Sequence, residues 1–80
     1  MQVRQYGWRN YVGLRILVVG SGGREHALAW KLASSPMVDA IFCAPGNPGT
    51  AGVATNLPIP VTDSSAVVTA ARDHAIDFVM

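Results

Sequence analysis

Cysteine is nearly absent: Cys43 is the only one among 80 residues. No internal disulfide can form, and no cysteine-based zinc site can be built. A reducing, cytoplasmic setting is the expectation. Charge is scarce as well, with only 14% of residues charged and a formal net charge of +1. The six basic residues are scattered without a run, so no nucleic-acid partner is expected. Long hydrophobic runs are missing too. The longest near the start is Ile16-Leu17-Val18-Val19, far below the roughly 20 residues of a membrane-spanning helix. It is also too short for the apolar core of a secretory signal. Neither a membrane partner nor export is expected. There is no internal repeat and no low-complexity segment.

What is present is apolar: half of the residues are hydrophobic, a globular composition with room for one small domain. Met1 to Leu14 carry arginines and aromatics without acids, and show neither a helical nor a strand period. They read as a loose extension ahead of a domain at 15–80. Arg15 to Gly20 is rich in β-branched residues and ends in glycine, as a strand buried on both faces does. A tight turn follows at Gly20-Ser21-Gly22-Gly23. Good helix formers run from Arg24 to about Ser34, with Ala27, Leu28, Leu32 and Ala33 spaced for one apolar face. Ser34-Ser35-Pro36 stops that helix.

Asp39 to Cys43 is a second strand, and Ala44 to Asn56 a glycine-rich loop. Leu57 to Val61 is expected to be extended, but its two prolines confine it to an edge or a poor strand. Thr62 or Asp63 caps a helix from about Ser64 to His74, with Ala66, Val67, Ala70 and Ala71 on one side. Ile76 to Met80 opens another strand. Strands alternating with helices imply an α/β domain with an open, mostly parallel sheet and right-handed crossovers. The final strand lacks a turn signal, so the expectation is a truncated domain of marginal stability.

The chemistry lies in Gly20-Ser21-Gly22-Gly23-Arg24-Glu25-His26-Ala27. At a strand-to-helix junction, unsatisfied backbone N–H groups and the helix dipole favour an anion. Glycine lets the backbone approach a phosphate closely. Gly20 and Gly22 match the first two positions of a dinucleotide fingerprint, but Glu25 stands where its third glycine belongs. No acidic residue closes the second strand either, where a ribose-binding carboxylate is expected. Arg24 can fork onto a phosphate; the plainer reading is a solvated surface arginine. Glu25 suits the positive helix end, and simple dipole compensation is its plainer reading. His26 reads as a packed structural histidine, and His74 as a favourable charge at a helix C-terminus. Trp30, Phe42 and Cys43 read as core. In the second loop, Asn47 and Thr50 could line a polar wall beside the first, or merely shape a turn.

The two loops together, with Val18-Val19 before them and Ala44-Pro45-Gly46-Asn47 and Gly49-Thr50 after, resemble the opening of the phosphoribosylamine–glycine ligase family. The resemblance covers about residues 15 to 80. It implies a Rossmann-like domain preceding an ATP-grasp module. It also implies an enzyme of purine biosynthesis that joins glycine to 5-phosphoribosylamine, consuming ATP with Mg²⁺ or Mn²⁺. In that family the glycine carboxylate is activated as an acyl phosphate, which the amine then attacks. By the resemblance, Gly20, Gly22, Gly23, Arg24, Glu25 and Asn47 bind the phosphoribosyl substrate. Nucleotide, metal and catalytic groups are expected in the remainder of the ligase chain, so the 80 residues alone are expected to be inactive. Family members start with a methionine near Leu14, so residues 1–13 are expected to be translated upstream sequence. Two other readings compete: a dinucleotide-binding module of an oxidoreductase, and a non-catalytic α/β fragment.

Overall fold

The structure is a computed structural model that describes residues 13–80. The expectation of a loose extension falls, for residues 1–12, outside the described residues.

Strand β1 spans Leu14–Gly20, one residue earlier than the spacing suggests. Helix α1 covers Gly23–Ala33, and β2 covers Val38–Pro45. A short 3-10 turn at Thr50–Gly52 leads into β3, Thr55–Asn56. Helix α2 runs over Ser64–Asp73 and is followed by β4, Phe78–Val79. The sheet order is β3-β2-β1-β4, and every pairing is parallel. This is an α/β, Rossmann-like arrangement with helices on both faces.

The alternation along β1 explains the two faces. Leu14, Ile16 and Val18 join Ala29 of α1 and Ile41 and Cys43 of β2 in one core cluster. Leu17 faces the other way, with Phe42 and Ala44, against Val67 of α2 and against Leu57, Ile59 and Ile76. Because β1 is covered on both sides, its sequence is continuously apolar rather than alternating. Leu17, Cys43 and Ala44 are completely buried, and Val18 nearly so. Each large side chain so buried contributes about 1.5–3 kcal/mol.

Helix α1 packs through Leu28, Ala29 and Leu32. Ala27 and Ala33, expected on that face, are exposed instead, because the i, i+1, i+4 stripe is centred on Ala29. Trp30 lies about 100° beyond Ala29 and is 62% exposed, not core. Helix α2 buries the face expected of it: Ala70 is buried, and Ala66, Val67 and Ala71 are half-buried. Asp63 is its N-cap, its Oδ1 accepting from the Ala66 N–H at 3.0 Å.

The weak strand sits two residues before the segment expected to hold it. Leu57 still donates to the Cys43 carbonyl at 2.7 Å, but Ile59 turns back to Leu57 at 2.8 Å. Pro58 and Pro60 have no N–H to continue the ladder. His74 is no free surface charge either. Its ring lies 4.7 Å from that of Phe42, and its carbonyl accepts from Arg15 Nε at 2.7 Å. This latch ties the end of α2 to the start of β1.

Candidate functional site

The parallel sheet brings the two glycine loops together at its carboxyl edge. Gly20 ends β1 and pairs with Pro45 at the end of β2. The Gly46 N–H donates to the Gly20 carbonyl at 3.0 Å, so the chains leave the sheet side by side. Gly20 has φ +146° and Gly46 φ +74°, values that L side chains rarely adopt. Both positions are also crowded. A Cβ on Gly20 would fall into the Glu25 side chain, and one on Gly46 would meet Asn56 and Thr50.

Glu25 folds back over the loop from the first turn of α1. Its Oε1 accepts from the Gly22 N–H at 3.3 Å, and its Oε2 lies 3.5 Å from Arg24 Nε. The Glu25 side chain is largely covered, whereas that of Arg24 is 97% exposed. The two neighbours therefore differ in role. Glu25 caps the helix start, and Arg24 stands in solvent above it. The N–H groups of Gly23, Arg24 and Glu25 have no acceptor inside the helix, whose first bond runs from the His26 N–H to the Gly22 carbonyl.

Asn47 joins the second loop to the first. Its Nδ2 donates to the carbonyls of Ser21, at 2.8 Å, and Gly22, at 3.2 Å. Its Oδ1 accepts from the Thr50 N–H at 2.9 Å. Thr50 is completely buried, and its hydroxyl accepts from the Asn47 N–H at 2.8 Å and meets Asn56 Oδ1 at 2.7 Å. Asn56 Nδ2 donates to the Asn47 carbonyl at 2.9 Å. His26 packs over Gly49, where a Cβ would strike its ring, so the histidine is a packing residue as its pattern suggested. All six sequence-derived positions gather at this edge. Asn56, on β3, belongs to the same network although no sequence motif marks it.

A groove of about 200 Å³ opens here, lined by Val18, Val19, Arg24, Glu25, Leu28 and Met80. It lies between β1 and β4, on opposite sides of which the strand order runs in opposite directions, the usual ligand crevice of open α/β sheets. A wider groove of about 450 Å³ lies away from the loops, between the Leu57–Ile59 segment and α2. The smaller one is bordered by Arg24 and Glu25 of the first turn of α1. Beneath the loops, burial pushes the Cys43 thiol pKa up. The Thr50 hydroxyl opposes that rise, and the Glu25 charge adds to it. Among the described residues, no group of three or more His, Cys, Asp or Glu could hold a metal ion. No helix of the described residues is long and apolar enough to cross a membrane.

A dinucleotide site is not favoured by this geometry. Glu25 covers the turn at Gly20, and β2 leads into Gly46-Asn47 rather than into a carboxylate.

Residues 14–80 match the family model described as Phosphoribosylglycinamide synthetase, N domain. Over 67 residues, 84% of this chain, it is 55% identical to a phosphoribosylamine–glycine ligase of Agrobacterium fabrum. Over the same span it is 51% identical to that of Brucella melitensis. The Salmonella typhi protein of that name is 53% identical over 66 residues, 80% of the chain. These matches span only 15–16% of the relatives' own length. With a family match that runs through both glycine loops and all four strands, the chain belongs to the phosphoribosylglycinamide synthetase N-domain family.

Proposed function

We propose that this chain forms the phosphoribosyl-binding side of a ligase that joins glycine to 5-phosphoribosylamine in purine biosynthesis. The observation that carries this reading is the glycine loop of a matched family domain, with backbone donors converging where β1 meets α1. The N–H groups of Gly23, Arg24 and Glu25 would receive the phosphate, aided by the positive end of α1. The Arg24 guanidinium, exposed above them, would close over it as a planar fork. Gly20 makes room for the Glu25 side chain that caps the loop, while the space beside Gly23 is open. Glu25 Oε2 is an acceptor suited to a sugar hydroxyl. Asn47 holds the floor of the loop. The ATP and the Mg²⁺ or Mn²⁺ of such a ligase would supply the activation of the glycine carboxylate. No residue of 13–80 is assigned to them. The small-molecule substrate and the remainder of a ligase chain are the partners of this reading, and a cytoplasmic setting goes with it.

Titration with ribose 5-phosphate, followed by amide resonances, tests it. The expected outcome is saturable movement of the Gly23, Arg24 and Glu25 amides, with no comparable response to NAD. Saturable NAD binding without any response to the phosphosugar would overturn the proposal.

A further inference from the structure

The Asn47 side chain has both Nδ2 hydrogens engaged by the first loop and its Oδ1 engaged by the Thr50 N–H. It therefore has little left to offer a ligand directly. Its two acceptors, however, are the carbonyls of Ser21 and Gly22. In a trans peptide the C=O and the N–H of the next residue point in opposite directions. The pull on the Ser21 carbonyl turns the Gly22 N–H away from the second loop, and the Gly22 carbonyl, held by Asn47 together with the His26 N–H at 3.1 Å, turns the Gly23 N–H the same way. The Gly22 N–H then meets Glu25 Oε1. That leaves the Gly23 N–H, together with those of Arg24 and Glu25, facing the position proposed for the phosphate.

What holds Asn47 is equally specific. Its carbonyl accepts from Asn56 Nδ2 at 2.9 Å, and Asn56 Oδ1 accepts from the Thr50 hydroxyl at 2.7 Å. Thr50 returns to Asn47 through the 2.8 Å bond from the Asn47 N–H. Asn56 lies in β3, paired with Cys43 of β2, so the sheet itself anchors the chain of bonds. Gly46 leaves the space that the Asn56 and Thr50 side chains fill. Among the described residues no buried side-chain N or O atom is left unsatisfied, so the network is complete without a ligand.

We propose that Asn56 is a positioning residue for phosphosugar binding, acting through Thr50 and Asn47 on the peptide planes of Gly22 and Gly23. This rests on the phosphoribosyl reading given above and deepens it. Asn56 touches no ligand; it sets the direction of donors that do. Losing both of its bonds cuts the tie from β3 to the Asn47 loop, which keeps its bonds to Thr50 and to the first loop, while the sheet and both helices keep their packing.

The test compares Asn56→Ala with the parent chain by ribose 5-phosphate titration, thermal melting and the ligand-free amide spectrum. The expected result is binding weakened about ten-fold, the equivalent of one well-aligned hydrogen bond to a charged group. The free-state Gly23 amide resonance moves while a cooperative melt is kept. Should Asn56→Ala lose that melt, the pair Thr50→Val and Thr50→Ser decides. Serine, which keeps the hydroxyl, restores what valine loses. Unchanged affinity and an unmoved Gly23 resonance in a folded variant would overturn the proposal. If the parent chain itself ignores ribose 5-phosphate, the substrate reading falls. The positioning role rests on that reading and falls with it, whereas a parent chain that binds and an Asn56→Ala chain of equal affinity overturn the positioning role alone.

Discussion

Gly20→Ala is the sharpest test of how the first loop is built. The residue has φ +146°, in a region that only glycine visits without strain. Holding alanine there costs about 1–3 kcal/mol. The new methyl would also displace the Glu25 side chain, removing its 3.3 Å bond to the Gly22 N–H. That bond is exposed and long, so its loss adds roughly 0.5–1 kcal/mol. Together these give about 1.5–4 kcal/mol, against a total of roughly 4–12 kcal/mol for a chain of this size. Urea unfolding followed by far-ultraviolet circular dichroism measures it. With a slope of about 1 kcal/mol per molar urea, the midpoint should fall by about 1.5–4 M. A double-mutant cycle with Glu25→Ala separates the two causes. In that background the Glu25 contribution vanishes and the backbone strain persists, so the two substitutions fall short of additivity by roughly 0.5–1 kcal/mol. A Gly20→Ala chain within about 0.5 kcal/mol of the parent, the range of an ordinary surface change, would refute the strained-turn account.

Three further outcomes follow from the same geometry. Asp63→Ala removes the cap on the Ala66 N–H. It should cost about 1 kcal/mol, lowering the melting temperature by about 4–8 °C. Arg24→Ala should leave the melt unchanged, since the side chain is exposed and Glu25, its ion-pair partner among the described residues, is also held by Gly22. It should weaken ribose 5-phosphate binding about ten-fold, as losing a charged fork does; equal affinity would remove Arg24 from the site. Burial raises the Cys43 pKa in the folded chain. Its stabilising effect is thus fully present below the ordinary thiol value of 9.0. As pH rises above that value the unfolded chain loses its proton first, so stability declines until the folded pKa is passed. Urea midpoints should fall more steeply with alkaline pH in the parent chain than in Cys43→Ala; parallel slopes would refute the link.

The strands and helices were legible because each is dictated by neighbours in sequence. β1 is a short apolar run ending in glycine, and α2 follows an aspartate cap. The misreadings come from choices made by distant partners. The direction of α1 against the sheet, set by Leu28, Ala29 and Leu32 meeting β1 and β2, decides that Trp30 faces solvent. His74 sits at a helix end, where a charge is the natural reading, yet Phe42 and Arg15, both far away in sequence, claim its ring and its carbonyl. The prolines on either side of Ile59 weaken the strand there, as their missing N–H groups imply. The two ladder residues that survive are Thr55 and Asn56, upstream of them, where β2 still offers partners.

The site shows the same division more sharply. That Gly20 to Glu25 and Asn47 share one edge follows from strand order alone, since both loops leave parallel neighbours at their carboxyl ends. Which atoms face a ligand does not. Arg24 and Glu25 are adjacent and opposite in charge, and by the resemblance both bind the substrate. The backbone separates them: Glu25, three residues past Gly22, reaches back to cap it, and Arg24, one residue earlier, stays in solvent beside it. From the sequence Asn47 reads either as a lining residue or as a residue that shapes a turn, and the resemblance places it at the substrate. Its donors are instead turned to the carbonyls of Ser21 and Gly22 by Asn56, nine positions later and on another strand. On the proposed reading the motif specifies where an anion would be received, and the fold beyond the motif specifies how the receiving donors would be aimed. A substitution at Asn56 should thus act on ligand affinity while leaving every residue of the glycine motif intact, an effect that no inspection of the motif would foresee.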